Sequence, residues 1–290
     1  MNESFAICTF AIIALTSVCS LVGFRDSNFR EKHLFAVREI LAEKQYHRLL
    51  TSAFLHADWN HLLLNMFSLY LFGRHVELLL GVGRYLLIYF AAIVGGSLLS
   101  LWMHRHHEYH AYGASGGVCG MIFSYILLFP GGGILMFPLP VSIPAWLYAV
   151  LFFIGSFLAL KRQADNVGHD AHLGGAIIGM WTTAALEPWI FQDQLKLFLG
   201  ITVLSVLLFV YLAKNPLLLP LVNFSPASYR SRSKTRGRQQ RQRKHLEVDS
   251  ILEKISERGI DSLSEAERRV LNSVSEKYRR KSNPNKSDNN

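Results

Sequence analysis

Apolar residues in this chain gather into seven blocks, at about 5–24, 60–80, 84–103, 113–130, 141–160, 170–190 and 195–214. Each is near the roughly 20 residues that a helix needs to cross about 30 Å of hydrocarbon. The pattern predicts an all-α fold, a polytopic bundle of transmembrane helices. The seventh block is as apolar as the others and carries a lysine near each end, Lys196 and Lys214. The expected organisation is a six-span core over 1–190, a seventh span within 191–222, a basic linker at 223–245, a helical hairpin at 246–282 and a disordered tail at 283–290.

The connections carry their own signals. Between Arg25 and Leu55 the chain is long for a membrane protein, and its 35–41 run predicts a short amphipathic helix at the interface. Gly131–Gly133 with Pro138, Pro140 and Pro144 predicts a turn between spans four and five. Near the C-terminus, Val248, Ile251, Leu252 and Ile255 follow helical spacing, with Gly259 as a stop. Ser264-Glu265-Ala266-Glu267 fits a capping box, and Val270, Leu271, Val274 and Tyr278 continue an apolar face. A module this small is expected to dock on something rather than fold firmly alone.

Composition sharpens this picture. The chain has 290 residues, 50% of them hydrophobic, and its mean hydropathy of +0.21 is high for a soluble protein of this size. The first block lacks a basic leader and a clear small-residue cleavage site, so it is expected to be kept as a span. Cys8, Cys19 and Cys119 all lie inside apolar blocks, which fits packing and offers neither a disulfide framework nor zinc spacing. The net charge of +9 is uneven: residues 230–290 hold 17 Lys+Arg and 9 Asp+Glu, the preceding 229 hold 13 and 12. Eight basic residues and no acidic one lie in 230–244. Next to a membrane span this reads as contact with anionic lipid headgroups or solvation. Nucleic acid is not expected, because interleaved aromatics beyond Tyr229 are lacking.

Polar groups inside spans are costly and functional by default. Three clusters stand out: His56-Ala-Asp-Trp-Asn-His61-Leu-Leu-Leu-Asn65, Gly113-Ala-Ser115-Gly116 and Gly168-His169-Asp170-Ala-His172-Leu-Gly-Gly175. His61 and Asn65 share a helix face, as do His172, Gly175 and Gly179. All three clusters begin even-numbered spans, so an up-and-down bundle brings them to one depth. A serine hydroxyl with a neutral imidazole in reach is an activated nucleophile. His61, the Asn65 amide and the Ser115 N–H are candidate oxyanion donors. Gly175 and Gly179 would let spans four and six pack closely enough to bring Ser115 to His172.

At this point the residues resemble the rhomboid family of intramembrane serine proteases. The Gly-x-Ser-Gly signature is Gly113–Gly116, the Ala-His-Leu-Gly-Gly signature is Ala171–Gly175, and the His-x4-His-x3-Asn signature is His56, His61 and Asn65. The 48–56 run looks like the end of the family's first loop, and the resemblance covers roughly residues 5–190. It implies Ser115 as nucleophile and His172 as general base, in a dyad without an acidic third member. Asp170, two residues from His172, points to another helix face. The resemblance further implies His61, Asn65 and the Ser115 N–H as the oxyanion hole. His56, Arg48, Gly113, Gly116, Gly175 and Gly179 would be structural supports. His169 has no catalytic counterpart. Members often carry an aromatic ring where this chain has Cys119, and the seventh span resembles the variant with one extra C-terminal helix. The 246–280 hairpin resembles a small module found on some bacterial members.

The expected substrates are transmembrane segments of other proteins, cut within the bilayer, with no cofactor and no metal. The expected location is a bacterial cell (inner) membrane, with a cytoplasmic N-terminus and an outward-facing site. The side of the tail stays open: seven spans place it with the site, whereas the basic run favours the cytoplasm. Three other readings compete. One is a non-catalytic adaptor for transmembrane clients. Another is metal handling by His104, His106, His107 and His110. A third places the nucleophile at Cys119, one turn deeper than Ser115.

Overall fold

The computed structural model describes residues 5–106, 108–135, 141–162, 168–214 and a scatter of residues between 250 and 271. The chain divides into two compact units, 1–223 and 224–290, and each is described by itself.

Helices occupy the apolar blocks of the first unit. They are α1 (Ile7–Arg25), α5 (Trp59–Ser68) running through a π-helical stretch (Leu69–Gly73) into α6 (Arg74–Leu80), α7 (Val82–His104), α8 (Ser115–Leu128), α9 (Ala145–Arg162), α10 (His169–Leu186) and α12 (Leu195–Lys214). α11 (Ile190–Asp193) is a single turn between the last two. Of these, α1 and α7 are long and apolar enough to cross a membrane by length and composition. The protein is mostly helical.

Two departures from a purely helical expectation appear. The long first connection folds into α2 (Ser27–His33), β1 (Phe35–Ala36), α3 (Val37–Ala42), α4 (Arg48–Thr51) and a 3-10 turn (Ser52–Phe54). Its β1 pairs antiparallel with β2 (His110–Ala111), Phe35 opposite Ala111. The segment expected to be a turn between α8 and α9 holds β3 (Gly133–Leu135) paired antiparallel with β4 (Ser142–Pro144). Pro138 and Pro140 lie outside the described residues.

The core sits where α7, α8 and α10 meet. Every residue of α8 from Gly116 to Ser124 is buried, so this helix is surrounded rather than amphipathic. Tyr85, Tyr89, Phe123 and Phe153 are the largest fully buried side chains. The outer helices α1, α9 and α12 instead expose Leu15, Val18, Val150, Leu151, Ile154, Val203 and Leu207, as surfaces facing hydrocarbon do. At one end of the bundle Phe198 of α12 packs against Trp181 and Phe191. At the other, Phe209 stacks on Trp102 and Tyr211 meets Phe157. α12 thus touches α10 near one of its ends and α7 and α9 near its other.

At the end away from Ser115, the buried Glu77 of α6 caps α1. Its carboxylate accepts from the Cys8 N–H at 2.8 Å, the Thr9 N–H at 2.7 Å and the Thr9 hydroxyl at 2.7 Å. A carboxylate there satisfies helix-start donors that have no intrahelical acceptor. Glu77→Ala is expected to cost about 3 kcal/mol, the scale of lost charge-assisted hydrogen bonds plus unpaired buried donors. Detergent or urea unfolding followed by tryptophan fluorescence measures it.

In the second unit, the Ser264 N–H and hydroxyl donate to the Glu267 carboxylate at 2.7 and 2.8 Å. Lys254 bonds the same carboxylate at 2.9 Å. Gly259 adopts φ +76° and donates to the Ile255 carbonyl at 2.9 Å, the glycine helix stop read from sequence. Val248, Leu252, Val270, Val274 and Tyr278 lie outside the described residues.

Candidate active site

The turn before Ser115 is held by the first connection at successive backbone groups. Tyr109 carbonyl accepts from Val37 N–H at 3.2 Å, β1 pairs with β2, and Gly113 N–H donates to the Ser52 carbonyl at 3.1 Å. The connection is itself pinned by Arg48, buried at 5% exposure. Its guanidinium donates to the Glu31 and Leu34 carbonyls, both at 2.8 Å, and to Gln45 Oε1 at 2.7 Å. Thr51 adds a bond to the His33 carbonyl at 2.9 Å. A cation and a hydroxyl thus satisfy the free carbonyls at the end of α2.

His56 supplies the next hold. Its Nε2 accepts from the Ala114 N–H at 3.4 Å, and its Nδ1 lies 3.0 Å from Ser20 Oγ, which donates to the Phe54 carbonyl at 3.1 Å. Only one tautomer satisfies all three bonds: Nδ1 donates to Ser20 and Nε2 stays unprotonated. Burial, and secondarily the neighbouring His61, lowers the His56 pKa from 6.5 to about 3. A folded value below the unfolded one means the stabilising contribution is complete above about pH 6.5 and drains away as pH falls toward 3. Unfolding midpoints between pH 7 and 4 should therefore fall more steeply in the wild type than in His56→Gln. Parallel curves would remove His56 as the source.

Ser115 opens α8, and no side chain caps this helix. Its first-turn N–H groups therefore point, without intrahelical acceptors, into the space beside the Ser115 hydroxyl. Gly113 borders that space with φ +148°, a conformation side chains avoid. A Cβ there would lie 2.8 Å from His61 Cε1, 3.0 Å from His61 Nε2 and 3.6 Å from Ser115 Oγ. The His61 ring and the serine hydroxyl thus flank the same residue. Asp58 caps α5 by accepting the His61 N–H at 2.9 Å, and the rings of His61 and His56 meet edge-on at 4.9 Å. Asn65 lies one turn below His61, buried, with one amide N–H given to the His61 carbonyl at 2.9 Å.

α8 and α10 meet through backbone. A Cβ at Gly175 would overlap the Gly116 carbonyl, and one at Gly179 would overlap the Gly120 α-carbon. At Gly116 it would come 3.4 Å from the Ala171 carbonyl oxygen. Residues 116 and 171 adjoin Ser115 and His172, so these two side chains stand at the head of this contact. Below it, the Ser124 and Thr183 hydroxyls lie 2.7 Å apart. The third helix is packed as closely: a Cβ at Gly96 would sit 2.5 Å from the Ala171 carbonyl, and one at Gly174 would sit 2.9 Å from the Gly95 carbonyl.

Asp170 is turned toward the end of α7. Its buried carboxylate lies 3.1 Å from Nε2 of His104 on α7. The ring of His172 packs edge-on against His169 at 5.7 Å. Cys119 is buried, with the Tyr148 phenol near it. Among the described residues no group of three His, Cys, Asp or Glu side chains could hold a metal ion, and His107 lies outside them.

Sequence reading missed Ser20, Ser52, Glu77, Gly95, Gly96 and the His104–Asp170 pair. Glu77 and Ser20 each carried a signal, a polar residue inside an apolar block. Ser52 acts through its backbone carbonyl, which no pattern of side chains reveals.

A rhomboid domain matches residues 43–189, and a second family, of unknown function (DUF6576), matches 235–277. Rhomboid protein 1, mitochondrial, of Saccharomyces cerevisiae is 28% identical over 156 residues, 52% of this chain and 44% of its own length. RHOMBOID-like protein 12, mitochondrial, of Arabidopsis thaliana is 33% identical over 166 residues, covering 50% of this chain and 48% of that protein. Rhomboid protease GluP of Bacillus subtilis is 31% identical over 151 residues, covering 51% and 27%. The match spans less than half the length of each of these relatives.

Proposed function

Because the chain belongs to the rhomboid family, whose members are membrane-embedded, we propose that it is an intramembrane serine endopeptidase. It would cleave transmembrane segments of other proteins with a Ser115–His172 dyad. The observation that carries this reading is the close glycine contact of α8 with α10 next to Ser115 and His172, together with the flanking of Gly113 by His61 and Ser115.

In the proposed reaction Ser115 Oγ attacks the scissile carbonyl while His172 accepts its proton. The negative oxygen forms over the Ser115 N–H at the positive end of α8. His61 and the remaining amide N–H of Asn65 complete the donors. The imidazolium then protonates the leaving amine, and water hydrolyses the acyl-enzyme. Asp170 is engaged with His104, which supports a dyad rather than a triad.

The domain reading is six spans over 1–190, a seventh formed by α12, then the basic linker and the small C-terminal module. The 20-residue length of α12 and its exposed apolar residues Leu199, Val203, Val206 and Leu207 support the seventh crossing. The Bacillus subtilis relative and the likeness of the tail to a module on bacterial members support a bacterial cell membrane, with anionic headgroups as partners of residues 230–244.

A fluorophosphonate probe on the protein in detergent tests the reading. Mass spectrometry should locate the adduct at Ser115. A folded protein that never labels points to the adaptor reading, and an adduct on Cys119 to the deeper nucleophile.

A further inference from the structure

Asp170 is a carboxylate with 2% exposure in the first turn of a helix that the proposed reaction depends on. An isolated buried carboxylate is strongly unfavourable, so its partners were selected by the fold. They come from two other segments. His104 at the end of α7 lies 3.1 Å from Oδ2, and the buried Ser100 lies one turn earlier on the same helix. Tyr109 stacks face to face on His104, ring centroids 3.7 Å apart and planes 6° from parallel. Burial, and then the Asp170 charge, raises the Tyr109 phenol above its ordinary range, which places the two groups in one environment. The Tyr109 hydroxyl would also lie 3.4 Å from a Cβ at Gly168, the residue before α10.

The cluster therefore ties together α7, the segment 109–114 that leads into Ser115, and the first turn of α10 that carries His172. Tyr109 continues the tie outward, since its carbonyl accepts from Val37 and its ring meets Phe35 edge-on at 6.2 Å. The glycine contact fixes how close α8 and α10 lie. A glycine surface is smooth, however, and leaves the rotation of α10 about its axis less determined. The 3.1 Å contact of the Asp170 carboxylate with His104, on a side of α10 that lies 200° around the helix from His172 at 100° per residue, supplies that restraint.

We propose that Asp170 is a positioning residue for the dyad: by binding His104 it sets the rotation of the first turn of α10, and with it the His172 imidazole, against the segment entering Ser115. The inference rests on the hydrolase reading above.

Cleavage of a reporter transmembrane substrate in proteoliposomes tests it, with kcat expressed per fluorophosphonate-reactive enzyme. Asp170→Ala should lower kcat roughly 10- to 100-fold, the scale of a misplaced catalytic group, with KM within about twofold. Asp170→Asn keeps a polar side chain of the same size against His104 and should retain kcat within about threefold. If Asp170→Ala does not accumulate, the double variant His104→Phe/Asp170→Ala leaves no unpaired buried charge, keeps a ring on Tyr109, and carries the same expected loss.

Wild-type kcat per reactive enzyme in the alanine or double variant would overturn the proposal, leaving Asp170 as a stabilising residue only. An asparagine variant about 10⁴-fold slow would overturn it the other way, because that is the mark of a carboxylate acting directly on the base. A wild type that neither labels nor cleaves would instead sink the hydrolase reading, whatever Asp170 does.

Discussion

Ser115→Ala and His172→Ala should each abolish measurable cleavage of a reporter transmembrane substrate. In a nucleophile–base pair the two groups act as one unit, so either loss is expected to cost nearly as much as both, on the order of 10⁴-fold or more. The double variant should be no slower than the singles. Stability should barely move, because neither side chain is fully buried and both alanine variants keep the helix. Retained activity in His172→Ala would remove the base assignment while leaving the serine untouched. The matching measurement is the labelling rate: His172→Ala should label slowly at Ser115, and Ser115→Ala should not label at all.

Gly175→Ala should do almost as much damage with a single methyl group. The added carbon would overlap the Gly116 carbonyl oxygen, which is backbone and cannot rotate away. α8 and α10 would have to separate. Overpacking of this kind costs about 1–3 kcal/mol, and a shift near 1 Å between nucleophile and base costs about 10²-fold in rate. Gly155→Ala and Gly200→Ala are the controls, since a Cβ at either meets nothing within 4 Å. Both should leave activity unchanged and gain slightly in helix stability. Equal activity across all three variants would mean that this seam does not align the dyad.

Much of this architecture is legible in the chain because the bilayer enforces it. Apolar blocks longer than about 18 residues have few alternatives to a helix, and helices indeed occupy those positions. The spacing of His172, Gly175 and Gly179 is enough by itself to mark one face of α10. What the spacing conceals is that α10 has two close partners. Gly174 and Gly175 are neighbours in sequence but point about 100° apart, one toward Gly95 and Gly96 of α7 and the other toward Gly116 of α8. Periodicity reports a face and does not name what covers it. The paired strands were equally hidden, because Phe35–Ala36 and His110–Ala111 are two residues each and 74 positions apart at their nearest ends. Their pairing follows from the first connection folding back over the bundle. Asp170 and His104 were visible as polar residues, yet their meeting depends on the height at which α7 ends.

The contact of α8 with α10 also says how alignment of the site behaves as conditions change. Most catalytic groups are aligned by side chains that must each surrender rotamers, so their alignment loosens gradually with heat. Glycine has no rotamers to surrender, and in a membrane the two helices are already formed before they meet. Seating Gly116 against Gly175 therefore draws chiefly on dispersion between backbones, which falls away steeply once a gap opens. The dyad should behave as a latch: full turnover while the helices touch, and abrupt loss rather than gradual decline when they part.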